Sequence, residues 1–283
     1  KKEKLEKIQK HLIENLPADD FSSIAKRIIH EAKKDNGQRI LVILNTIQKA
    51  QIIYLQICDS LNTAENSLLK EKIWLLHSRF SMKDRQEKEK LIKEEFKNPK
   101  NAPDGPKILV ATQVVEASLD LDADVLFTEL APLDALVQRM GRVLRRIGPS
   151  CEVIGSGIYQ NSQGIQYQVD LKNPNIYLID WIIDKEKKDA KKTKSLYSED
   201  LLKATAWIFN QLLNGQKAQN IQVDNLKKFL AQPVIKKQKK TENETITLEN
   251  GRVLLSEYEK YLLVNLLYQG IEAANCDYIK NFY

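Results

Sequence analysis

The sequence predicts an α/β fold: a parallel sheet flanked by helices, followed by a mostly helical C-terminal appendage. Three observations predict it. Continuous apolar runs of strand length recur at Ile40–Leu44, Ile73–Leu76, Ile108–Ala111 and Val125–Phe127, as expected of strands buried on both faces. Through residue 147 the order reads strand–helix, strand–helix, strand–strand–helix, which builds a parallel sheet covered by helices. Beyond about residue 185 such runs give way to helical spacing and charge clusters.

Taken in order, residues 3–16 show helical spacing. In 20–34, Phe21, Ile24, Ala25, Ile28 and Ile29 form one helical face, and Asn36-Gly37 supplies a C-terminal stop. The run at Ile40–Leu44 reads as a strand. Asn45-Thr46 then offers an N-cap to a helix that uses Ile47, Ala50, Ile53, Tyr54 and Ile57. The strand at 73–76 ends in His77-Ser78-Arg79-Phe80, and Ser81 with Asp84 forms a capping pattern for a charged helix reaching about Phe96. A turn-rich loop (98–106) leads to the strand at 108–111. After Val125–Phe127, Pro132 and Asp134 suit the first turn of a helix. In that helix Leu136, Met140, Val143, Leu144 and Ile147 make a core stripe. Strands are expected at Cys151–Gly155 and Ile176–Ile179, helices at 198–213 and 221–230, and a last helix at about 254–274. The charge run 184–194 reads as a solvated loop. The polar segment 232–252, with KKQKK and TENET, reads as an exposed linker or a loop that contacts nucleic acid.

Composition narrows the function. With 283 residues, 42% of them hydrophobic, the chain can bury a sizeable core. No apolar run approaches the roughly 18–20 residues of a membrane span, and the Lys-rich start lacks a signal-peptide core, so a soluble, cytoplasmic protein without membrane partners is expected. A net charge of +6 permits nucleic acid as a partner without demanding it. Three dispersed cysteines and three histidines match no metal spacing.

Ligands collect at the carboxyl ends of strands in open parallel sheets. Three such ends carry polar groups: Asn45-Thr46, His77-Ser78-Arg79 and Thr112-Gln113. Hydroxyls, amides and an arginine suit a sugar-phosphate backbone, although each alone is ordinary capping chemistry. Asp120 and Asp122 could accept hydrogen bonds from a ribose or simply form a turn, and Glu116 could cap a helix or pair with a cation. The strongest signal is Arg139, Arg142, Arg145 and Arg146, which lie off the apolar stripe. Guanidinium forks hold anionic oxygens bidentately and keep their charge. Gly141 among them costs about 1 kcal/mol of helix propensity relative to Ala, which suggests a close approach there.

The segment ATQVVEASLDLDADVLFTELAPLDALVQRMGRVLR resembles motifs V and VI of superfamily 2 helicases, QRxGRxxR being the arginine-finger motif. Together with LVILNTIQKAQIIY and LLHSRFSMKDR, it resembles the CRISPR-associated helicase–nuclease of type I systems over about residues 21–150. DEAD-box proteins carry HRxGRxGR and an ARGLD-type motif instead. The resemblance implies a RecA-like helicase C-terminal domain at 21–184, preceded by a helical lead-in or inter-lobe linker (1–20) and followed by a mostly helical accessory region (185–283). It implies Arg142 and Arg145 as catalytic arginine fingers, and Asp120, Gln138 and Arg139 as nucleotide-binding. Thr46, Ser78, Arg79, Thr112 and Gln113 would line a single-stranded DNA track.

ATP and Mg2+ would be used by the intact enzyme, the Mg2+ ligands lying outside this chain. Implied partners are single-stranded DNA, a first RecA-like lobe with a nuclease domain, and a Cascade-type surveillance complex. No GxxxxGK[ST] loop, DExH segment or His/Asp nuclease constellation occurs here, so the chain alone is expected not to hydrolyse ATP. The alternatives are a lobe of another superfamily 2 DNA or RNA helicase, or a catalytically silent nucleic-acid or protein binding module.

Overall fold

Alternate residues of the central strands fall into two separate cores, one on each face of a single sheet. In the computed structural model, which describes residues 2–62, 67–97, 105–181, 196–231 and 248–273, that sheet has seven strands. They are β1 (Gln9–Ala18), β2 (Arg39–Ile43), β3 (Ile73–Leu76), β4 (Lys107–Ala111), β5 (Val125–Glu129), β9 (Ile176–Trp181) and β10 (Arg252–Ser256), in the spatial order β10-β1-β9-β5-β2-β4-β3. All neighbours are parallel except β1 and β10. The remaining strands, β6 (Glu152–Gly155), β7 (Ile158–Gln160) and β8 (Gln166–Gln168), form a small antiparallel sheet of their own.

Every residue of β2, β4 and β5 is buried, which explains why these strands read as unbroken apolar runs. On one face Ile40, Val42, Ile108, Val110 and Phe127 pack with Ile24, Ala25 and Ile28 of α2 (Phe21–Ala32). Ala50, Ile53 and Ile57 of α3 (Ile47–Ser60) complete that core. On the other face Leu41, Ile43, Leu109 and Leu126 meet Ile92 of α5 (Met82–Glu95) and Leu136 and Met140 of α7 (Leu133–Met140). The same core takes in Ile208 and Phe209 of α8 (Glu199–Leu213), Leu226 of α9 (Val223–Leu230), and Leu263 and Leu267 of α10 (Glu257–Ala273). The short helices α1 (Lys2–Lys7), α4 (Ser67–Lys70) and α6 (Val114–Ser118) join these elements.

The capping expectations hold. Thr46 accepts from the Lys49 N–H at 3.2 Å and Ser81 from that of Asp84 at 3.2 Å. Gly37 follows α2 with φ +108°, and a side chain there would collide with Pro106 at 2.4 Å.

Three expectations fail. Residues 3–16 are helical only to Lys7; from Gln9 the chain is a strand flanked by β9 and β10. Those partners lie more than 150 residues away, and their backbone hydrogen bonds override local spacing. The sheet therefore reaches outside residues 21–184 on both sides, through β1 and β10.

The helix expected to reach Ile147 stops at Met140. Ala123 explains it: its N–H donates to the Arg142 carbonyl and its carbonyl accepts from Leu144 N–H, each at 2.8 Å. Leu144 takes φ +49°, outside helical geometry. The expected stripe is buried nonetheless: Leu136, Met140, Val143, Leu144 and Ile147 are each at most 6% exposed.

Thirdly, the last helix begins at Glu257, because residues 252–256 extend the sheet against β1. The segments 184–194 and 232–247 lie outside the described residues. Among those described, no helix is long and apolar enough to cross a membrane. Nor does any group of His, Cys, Asp and Glu among them have the makings of a metal site.

Candidate functional site

Because β2, β3, β4 and β5 run parallel, their carboxyl ends share one edge of the sheet. That edge gathers Asn45-Thr46, His77-Ser78-Arg79, Thr112-Gln113 and Glu129. Thr46, Ser78 and Arg79 are exposed along it, and Gln113 is half-buried. Thr112 departs from the expectation of a contact residue. It is 3% exposed, and its N–H donates to the Leu76 carbonyl at 3.2 Å. Its place is to tie β4 to β3 beneath the edge. His77 is buried and stacks on Phe80 with ring centres 4.3 Å apart. Burial lowers its pKa, which favours the neutral ring.

The four arginines divide into an inward pair and an outward pair. Arg139 is completely buried and each of its five N–H groups is engaged. Nε donates to Glu116 at 2.7 Å. One terminal nitrogen donates to the Thr128 hydroxyl at 2.7 Å and the Glu129 carbonyl at 3.2 Å. The other donates to Asn45 Oδ1 at 3.1 Å and the Tyr197 hydroxyl at 3.0 Å. With its donors consumed, Arg139 does not face a nucleotide, contrary to expectation. It fastens the ends of β2 and β5 to α6, to α7 and to Tyr197 of the C-terminal segment. Glu129 extends this network, pairing with Lys49 at 2.8 Å.

Arg146 is inward too. It pairs with Asp122 at 2.7 Å and Asp124 at 2.6 Å, and Asp124 is gripped on its other side by the Arg39 fork at 3.0 and 3.1 Å. Burial pushes the Asp124 carboxyl up, but the Arg39 and Arg146 guanidiniums outweigh it and hold the group below its usual range. Asp122 is raised, because burial outweighs its share of Arg146 and Asp124 stands beside it. For Asp124 the sign follows directly. The unfolded chain takes up a proton near pH 4 while the folded one resists, so the group's contribution is complete above about pH 4 and lost as pH falls below it. Asp124→Asn should lower stability at pH 7 by about 3 kcal/mol and flatten the acid-side loss, as read from urea unfolding between pH 7 and 3.

Arg142 and Arg145 point the other way. Arg145 is about half exposed and, among the described residues, pairs only with Asp120 at 2.7 Å, itself 77% exposed. So open a pair contributes little, at most about 1 kcal/mol. Arg142 donates to the Glu116 carbonyl, while its Nε is buried with no partner. Burial, and then the charge of Arg145, lower its pKa. Two guanidiniums that repel each other, one with an unused donor, form a ledge that an anion of several oxygens would satisfy. Asp120 stands on this ledge, and Gln138 is exposed on the last turn of α7 just before it. A methyl added at Gly141 would first meet the Gln138 and Val137 carbonyls, at 3.2 and 3.4 Å. The close approach expected at Gly141 is thus its own helix's last turn.

Sequence reading missed Glu129, Lys49 and Tyr197, and with them the reason Arg139 is buried. The one available signal was Glu129, a carboxylate closing the otherwise uncharged run VLFTE.

Residues 36–147 match the family model described as "CRISPR-associated nuclease/helicase Cas3, C-terminal". A putative CRISPR-associated nuclease/helicase Cas3 of Methanocaldococcus jannaschii is 37% identical over 147 residues, covering 50% of this chain and 18% of that protein. The crystal structure of T. fusca Cas3-ATP superposes with a TM-score of 0.51 at 26% identity, over 73% of this chain and 22% of that one. A chain in the "CRISPR RNA-guided surveillance complex, pre-nicking" gives 0.52 at 21% identity, over 96% of this chain and 27% of that one. This chain therefore spans less than a third of each of these proteins. Over residues 36–147 it is thus similar to the C-terminal part of the CRISPR-associated nuclease/helicase Cas3.

Proposed function

We propose that this chain is the second motor lobe of an ATP-dependent single-stranded DNA translocase acting in CRISPR defence, with Arg142 and Arg145 as its arginine fingers. The observation that carries the reading is the asymmetry of the four arginines. Arg139 and Arg146 are consumed inside the fold, whereas Arg145 has only a weak, exposed partner and Arg142 keeps a buried unpaired Nε. Such a pair, little used by the fold, suits the role of donors held ready for charge that develops on a transferring phosphoryl group.

ATP, with Mg2+ held by the first lobe, would supply that group. Gln138 would reach its phosphates and Asp120 its ribose. Arg139 acts at one remove, by locking the edge on which the others stand. Thr46, Ser78, Arg79 and Gln113 offer hydroxyl, guanidinium and amide donors along one edge, which suits a single strand gripped by its backbone. The likeness to Cas3 solved with ATP, and to a chain of a surveillance complex, supports nucleotide as ligand and a Cascade-type complex as partner.

The test is ATP turnover. This chain alone should not hydrolyse ATP, and joined to a first lobe bearing a phosphate-binding loop it should do so in a DNA-stimulated manner. Turnover by the isolated chain, or a joined protein indifferent to DNA, would overturn the reading.

A further inference from the structure

The segment carrying Arg142 and Arg145 is not held by its own secondary structure. It leaves α7 at Gly141 and runs to Ile147 with its carbonyls turned into the protein. Buried carbonyls need donors, and three of these find them on β1. The Lys10 ammonium donates to the Leu144 carbonyl at 3.0 Å and also to that of Ile147. His11 Nε2 lies 3.1 Å from the Val143 carbonyl. A carbonyl only accepts, so Nε2 carries the proton and Nδ1 is left as an acceptor. Nδ1 receives the Lys260 ammonium of α10 at 2.8 Å. Lys260 is in turn paired with Glu257 at 2.7 Å, and Glu257 lies 3.5 Å from Lys10. The loop is thus the first member of a closed chain: Lys10 and His11, then Lys260 and Glu257.

We propose that Lys10, His11, Glu257 and Lys260 are positioning residues that set the aim of Arg142 and Arg145, so that β1 and α10, from the two ends of the described chain, jointly control the arginine ledge. The inference rests on the arginine-finger reading for its catalytic half and on geometry alone for its structural half. Lys10, His11 and Lys260 are at most 5% exposed. Such burial of two cations and a ring is costly and survives only where each group is paired. Here the pairing consists of the loop carbonyls and Glu257. Leu144, the residue at φ +49°, lies between the carbonyls held by His11 and Lys10. Its strained backbone is thus pinned from both sides.

The electrostatics agree. Burial, reinforced by Lys260 and Lys10, holds the His11 pKa well below its ordinary value, so the ring stays neutral and keeps the tautomer the relay needs. Burial pushes Lys260 down to about 8 against the pull of Glu257.

Hydrogen exchange on this chain tests the structural half. Relative to the parent, His11→Leu and Lys260→Met should speed exchange of the Leu144, Arg145, Arg146 and Ile147 amides by about tenfold or more, through local opening. Amides in β2 and β4 should keep their protection. His11→Gln, which offers one donor and one acceptor, should restore most of the loop's protection and guards against a general folding defect. Unchanged exchange in 144–147, or loss spread evenly over the sheet, would overturn the clamp.

Turnover in the two-lobe enzyme tests the catalytic half. There His11→Leu should lower kcat by about tenfold with little change in the KM for ATP, and His11→Gln should recover it. If Arg145→Ala abolishes turnover but His11→Leu leaves kcat intact, the clamp does not aim the arginines and the proposal fails. If Arg145→Ala itself leaves turnover intact, the finger reading fails, and the control of catalysis falls with it.

Discussion

Replacing Arg142 or Arg145 by alanine in the two-lobe enzyme should lower kcat for DNA-stimulated ATP hydrolysis by about 10³-fold or more, the range in which arginine fingers act. Stability should barely change. Arg145 stands half in solvent against an exposed aspartate, and Arg142 makes one hydrogen bond to a carbonyl while leaving Nε unpaired. Their removal takes little from the fold. Lysine at either position keeps the charge but loses the planar fork, and should recover only a small part of the rate. Steady-state turnover beside urea unfolding separates the two effects. A variant that lost activity and stability together would signal a structural arginine.

The opposite profile is expected one helical turn earlier. Arg139→Met should destabilise the chain by about 3–5 kcal/mol, because it strands Glu116 without its cation in a half-buried site, leaves Asn45 Oδ1 without its donor and takes one partner each from Thr128 and Tyr197. Arg139→Lys should be nearly as damaging: one ammonium cannot reach five acceptors spread over β5, α6, the loop after β2 and the segment before α8. Urea unfolding gives the number. Loss of activity in these variants should follow loss of fold, the reverse of Arg142 and Arg145.

The contrast between those two arginine pairs marks where the sequence was legible. The apolar runs at β2, β3, β4 and β5 spoke plainly, because a strand buried on both faces permits almost nothing polar. Thr46 and Ser81 were equally plain, since capping is settled within four residues. The parallel order then brought Thr46, Ser78, Arg79 and Gln113 to one edge. What stayed hidden depends on partners distant in sequence. β1 looked helical because its pairing with β9 and β10 leaves no local trace. Arg139 and Arg146 looked like their neighbours because Glu116, Tyr197, Asp122 and Asp124 claim them only once the sheet has formed. Ala123, 20 residues from Val143, ends the helix that period alone would continue.

The central claim is that Arg142 and Arg145 recognise the transition state of phosphoryl transfer, beyond merely binding a nucleotide. Comparing the affinities of the two-lobe enzyme for ADP and for ADP with aluminium fluoride, a mimic of that state, tests it most directly. Arg145→Ala should leave ADP affinity within about twofold and weaken the mimic by about 10²-fold or more. Equal weakening of both ligands, or of neither, would contradict it.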